Sequence, residues 1–189
     1  MIPILKSYLL LASFALLCSC QRLPTAKKPN QKQGTLGKLI EQIETNSQGT
    51  ALQKTLKENG KVETVTNQKP NYAKELGLFK KADLSPALVK KSYSLSTTQT
   101  ETGRIETLTA TTEKVEVRSL QISYGPADAI EQIAMRLSAS NYLYDDSLAG
   151  SLIVDNTNGT PRLGSYEIRG KQKVILGRAF SYQIIGKSL

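Results

Sequence analysis

The chain has 189 residues, a net charge of +9 and mean hydropathy of −0.29, with no histidine, no tryptophan and two cysteines. Without histidine, the usual nucleophile–base pairs and most zinc or copper sites are excluded. No Ser-x-x-Lys motif and no G-x-x-x-x-G-K-[ST] phosphate cradle occurs, so the reading is non-enzymatic and without a cofactor.

The first 19 residues read as a leader. One lysine, Lys6, precedes an apolar run from Ser7 to Leu17 that is about ten residues long, the length of a signal-peptide core and short of a spanning helix. The run ends in Leu16-Leu17-Cys18-Ser19-Cys20, with an aliphatic residue ahead of the cysteine and a small residue just before it. This pattern resembles a bacterial lipoprotein processing site, cleaved between Ser19 and Cys20. The Cys20 sulfur is the nucleophile that takes diacylglycerol, and the new amine takes a further acyl chain. Two or three chains, at about 0.8 kcal/mol per buried methylene, anchor a protein durably. Gln21, which is not Asp, favours the outer membrane under the enterobacterial sorting pattern. The expected location is therefore the outer membrane, with the domain facing the periplasm or exposed at the surface.

Removing 19 residues from 189 leaves 170, a net charge of +8 and a single, lipidated cysteine, so no disulfide within the chain. The basic balance suits anionic neighbours such as headgroups, lipopolysaccharide phosphates, acidic proteins or DNA in transit. No aromatic residues interleave with the basic ones as single-strand binding requires, which argues against nucleic acid as the main partner.

Residues 20–35 are polar, basic and rich in Pro and Gln, the composition of a flexible tether. Residues 36–90 read as short helices and loops. Leu36, Leu39, Ile40 and Ile43 suggest one amphipathic helix, and Leu52 and Leu56 a second, with Thr50 as its cap. Residues 58–72 are polar and turn-rich. Two more helical turns fall at residues 75–79 and 84–89, the latter opened by Ser85-Pro86.

From residue 91 to 189 an α+β domain is expected, best formed over 115–185. Residues 92–96 and 104–112 alternate in period two and predict strands of a hairpin, with a disordered Ser/Thr stalk over Thr97–Thr112 as the alternative. Residues 115–124 predict a strand with a bulge near Arg118-Ser119. Gly125-Pro126 turns the chain into a predicted helix carrying Ile130, Ile133, Ala134 and Leu137 at helical spacing. Residues 141–145 and 151–154 predict strands, followed by a turn over 155–161. A hairpin is expected about Gly170-Lys171-Gln172, and Phe180, Tyr182 and Ile184 complete the last strand. The fold class is α+β: a small, mostly antiparallel sheet with one packed helix.

Among candidate residues for chemistry, Asp145, Asp146 and Asp155 match no EF-hand spacing. Ser85 and Lys90 are too far apart for one helical face, and Lys187 and Ser188 are merely adjacent. Tyr142, Tyr144, Tyr166 and Tyr182 alternate in strands, where packing is the default role.

Leu120-Gln121-Ile122-Ser123-Tyr124, the Gly125-Pro126 turn, the segment Ile130 to Leu137 and Asn141-Tyr142-Leu143-Tyr144 together resemble the start of the secretin N0-like domain. That domain occurs in DotD/TraH-type lipoproteins of type IVB secretion and conjugation machines. The resemblance implies an assembly component that binds a secretin-like ring protein, as part of a homo- or hetero-oligomeric ring, through sheet-edge or helix-face contacts. The family's second helix, between later strands, has no counterpart in residues 151–182. The alternative is an unaffiliated surface or periplasmic lipoprotein that binds a ligand, glycan or host surface through its β-rich end.

Overall fold

In the computed structural model, residues 35–140, 144–174 and 179–189 are described. The leader, Cys20 and the tether therefore lie outside the described residues, as do Asn141, Tyr142 and Leu143.

Helix α1 (Thr35–Asn46) forms where the apolar spacing places it, burying Leu36, Ile40 and Ile43 along one stripe. Gly49, at φ +82°, then turns the chain out of the helix. Strands β1 (Leu52–Glu58) and β2 (Lys61–Asn67) follow as an antiparallel hairpin. Here the expected second helix is overturned. Asn59 and Gly60 sit at φ 48° and 80°, the two left-handed positions of a type I′ turn, and this locks residues 52–67 into paired strands.

Short helices α2 (Tyr72–Glu75) and α3 (Pro86–Ser92) flank a 3₁₀ segment, Gly77–Ala82. The Asn71 side chain caps α2 by accepting from the Lys74 N–H at 3.1 Å. Ser85 caps α3, with Pro86 at its first turn.

The remaining strands are β3 (Tyr93–Gln99), β4 (Arg104–Ala110), β5 (Val117–Tyr124), β6 (Ile130–Ser140), β7 (Tyr144–Asp155), β8 (Arg162–Val174) and β9 (Phe180–Ser188). All described strands join one sheet in the order β2-β1-β9-β8-β7-β6-β5-β4-β3, antiparallel throughout. The architecture is α+β, a mostly antiparallel sheet with a small helical part. The expected hairpin of β3 and β4 is present, and β5 carries its bulge between Val117 and Ser119.

Two further expectations are corrected. Residues 130–137 form the first part of strand β6, so the helical packing of this fold comes from α1 and the short helices after it, and the strand–turn–helix order quoted for the N0-like resemblance is absent. Ala127 and Asp128 lie at φ 56° and 61°, and two consecutive left-handed residues reverse the chain where a helix would have to start. The turn expected at Gly170-Lys171-Gln172 lies within β8, toward its end. Gly170 faces Tyr182 across the β8–β9 pair, and a Cβ there would come within 2.3 Å of the Tyr182 ring. Gly186 seats Tyr166 in the same way, at 2.2 Å. These glycines make room for cross-strand rings rather than turns.

The helices cover one face of the sheet. Leu36, Ile40, Ile43, Leu76 and Phe79 pack with Leu120, Ile122, Ile133, Met135, Leu152 and Tyr166 in a single core. Each such side chain contributes about 1.5–3 kcal/mol through burial. The Phe79 ring meets Tyr166 edge-on, with centroids 6.4 Å apart. The loop joining β7 to β8 is tied to α1, since Ser47 Oγ accepts the Leu163 N–H at 2.9 Å and Asn46 Nδ2 donates to the Pro161 carbonyl at 3.0 Å.

Candidate interaction surfaces

Among the described residues the sheet has two edges without a neighbouring strand, and they differ in chemistry. Strand β2 is exposed along its whole length and shows Val62 and Val65, but it also carries Lys61 and Glu63. Strand β3 reads Tyr-Ser-Leu-Ser-Thr-Thr-Gln, with no charge and no proline, and every residue beyond Tyr93 is exposed. Charges, prolines and bulges are the usual means of keeping an edge strand from pairing with another chain, and β3 has none of these. It is held firmly from behind. Its partner β4 is paired in turn to β5, and Tyr93 donates its hydroxyl proton to the Val117 carbonyl at 2.7 Å.

Beside this edge, on the helix-facing side, lies a polar network. Arg104 stacks 3.8 Å from the Tyr124 ring centroid, its Nε lies 3.1 Å from Glu106, and it also pairs with Asp128. Tyr124 donates to Glu106 Oε2 at 3.1 Å. Burial, and then the nearby Glu106 carboxylate, push the Tyr124 phenol up to about 12. Burial and Glu75 likewise hold the Tyr166 phenol far above its ordinary value.

Because the folded-state value of Tyr124 is raised, its contribution to stability is complete below the ordinary tyrosine value of about 10. It is lost as pH rises toward about 12. Denaturant unfolding across this alkaline window should therefore show stability falling in the wild type, with a shallower fall in Tyr124→Phe. Equal slopes would show that Tyr124 does not carry the effect.

The sheet face turned away from the helices holds a cleft of about 770 Å³, lined from β1, β5, β6, β7, β8, β9 and the β1–β2 turn. The register explains its lining. Lys57, Gln183, Arg169, Ala149 and Arg136 follow one another across five adjacent strands in a single transverse row. The next row on the same face is Ser181, Lys171, Ser147 and Ser138. Arg118, at the β5 bulge, lies at the cleft wall and donates to the Thr112 carbonyl at 3.1 Å. A smaller hollow of about 260 Å³ shares Arg136, Ala149 and Arg169 with the cleft. Sequence reasoning missed this group, because Arg118, Arg136 and Arg169 come together only through the register.

The residues singled out in the sequence are dispersed. Asp155 ends β7 while Asp145 and Asp146 begin it, so about 30 Å of strand separates them. No group of three or more metal-ligating residues occurs among the described residues. Ser85 accepts from the Leu88 N–H as a cap, and Lys187 and Ser188 point to opposite faces of β9. Tyr166 is in the core and Tyr182 packs over Gly170. No helix among the described residues is long and apolar enough to cross a membrane.

Among the described residues, fold and surfaces define an α+β arrangement with an open, uncharged sheet edge and a basic cleft. Comparison with family models, with curated proteins and with solved structures finds no match.

Proposed function

We propose that this chain is a membrane-anchored envelope lipoprotein, fixed by lipid on Cys20, that acts as a non-enzymatic interaction component of an outer-membrane assembly such as a secretion or conjugation complex. The observation that carries the interaction reading is the β3 edge: seven residues long, uncharged, and rigidly backed by β4 and β5. An extended segment of a partner adding to such an edge gains main-chain hydrogen bonds without either protein refolding its core. A ring component of the secretin kind is the partner the sequence resemblance implies. Residues 130–137 lie in a strand, which supports the sheet edge over a helix face as the docking route.

The test is the double variant Ser96→Lys/Thr98→Lys. Both positions are exposed and lie on the same side of the edge strand, so stability should change by less than about 0.5 kcal/mol. Affinity capture from solubilised envelopes, with the lipid intact, should then lose whatever proteins the wild type retains. An unchanged set of captured proteins would rule out edge docking.

A further inference from the structure

We propose that the cleft on the helix-free face binds an organic phosphate, clamped between Arg136 and Arg169. The cleft lining holds Lys57, Arg118, Arg136, Arg169 and Lys171 against one carboxylate, Glu58. Such an excess of one charge sign in a concave site raises the local concentration of the opposite ion. Among the described residues, Lys57, Arg136 and Lys171 have no ion-pair partner. Arg169 is engaged by Glu167 through Nε alone, at 2.6 Å, which leaves the far side of its guanidinium for a ligand.

Geometry selects the anion. Arg136 and Arg169 flank Ala149 in one row, two strand spacings or about 9.5 Å apart at the backbone. With only a methyl group between them, both guanidinium forks can lean over a shared floor. Arg forks match phosphate oxygens in pairs, and a phosphoryl group offers more acceptor oxygens than a carboxylate. The adjoining row supplies Lys171 with the hydroxyls of Ser138, Ser147 and Ser181. A volume of about 770 Å³ suits an organic molecule better than a bare ion. Neither the edge strand nor a protein partner enters this argument. The phosphoryl group can belong to a lipid headgroup or to a soluble molecule, and the experiment separates the two.

The full chain, ¹⁵N-labelled in nonionic micelles, is titrated while the arginine Nε–Hε signals are followed by NMR, with R136Q and R169Q providing the assignments. One arm dopes the micelles with phosphatidylglycerol, against phosphatidylcholine as its control; the other adds glycerol 1-phosphate to undoped micelles. Shifts of Arg136 and Arg169 with phosphatidylglycerol only would assign the site to an anionic headgroup. Shifts with glycerol 1-phosphate, with or without a response to lipid, would assign it to a soluble phosphate. Each glutamine variant should weaken binding about tenfold. No shift in either arm, or variants that bind as tightly as wild type, would overturn the proposal. Ser96→Lys/Thr98→Lys should leave these shifts intact, so failure here and failure of edge docking are distinguishable.

Discussion

Aspartate in place of Ile133 is expected to lower the unfolding free energy by about 4 kcal/mol. Ile133 is fully buried in β6, opposite Ile122 of β5 and Leu152 of β7, which are themselves buried. A carboxylate placed there loses its water and finds only aliphatic neighbours. It must either remain charged in an apolar layer or take up a proton, and both cost stability. The adjacent variant Ala134→Asp supplies the control. Ala134 points to the other face, half-buried between Gln121 and Ser151, so it should cost less than about 1 kcal/mol. The pair of variants also distinguishes a strand from a helix in this stretch. In a helix, residues 133 and 134 share an apolar face and both substitutions would be severe. In a strand they alternate, and only one is. Urea unfolding of the two variants, followed by circular dichroism, reads the difference directly.

That stretch shows how far the fold was legible. Ile130, Ile133, Ala134 and Leu137 fit a helical stripe, yet Ile133, Met135 and Leu137 fit an alternating one equally well. The choice is made by β5 and β7, which pair with this segment on either side and lie outside any local window. Ala134 is small enough for either face, which is why the pattern was ambiguous. The hairpin at Asn59-Gly60 is signalled by its turn residues, while the polar strands around it, Gln53-Lys54 and Lys61-Val62-Glu63, hide their alternation. Gly170 misled in the opposite sense: a glycine that makes room for a ring looks, in sequence, like one that makes a turn. Where the signal was local, it served. α1 lies on its stripe, Ser85-Pro86 opens a helix, and the Ser/Thr hairpin and the β5 bulge are where the residues place them. The basic cleft was not legible at all, since its arginines are assembled by register from three separate strands.

Replacing Cys20 with Ala is expected to abolish labelling by a fatty-acid probe and to move the protein from the membrane to the soluble fraction. Without the thiol there is no thioether, and without lipid no recognition of the bond between Ser19 and Cys20. No helix of the described residues is long and apolar enough to cross a membrane, and their large exposed apolar side chains include Val62, Val65, Leu95, Ile153 and Leu189. The positive charge of the chain supplies a separate attraction to an anionic membrane. That attraction is screened within about 10 Å at 0.1 M salt. Membranes washed at low and high ionic strength therefore divide the contributions: charge-held variant leaves with salt, whereas lipid-held wild type stays until detergent is added. Blotting the same fractions for chain length identifies material that keeps its leader. Lipid labelling that persists in Cys20→Ala would place the modification elsewhere and remove the basis for an anchored protein.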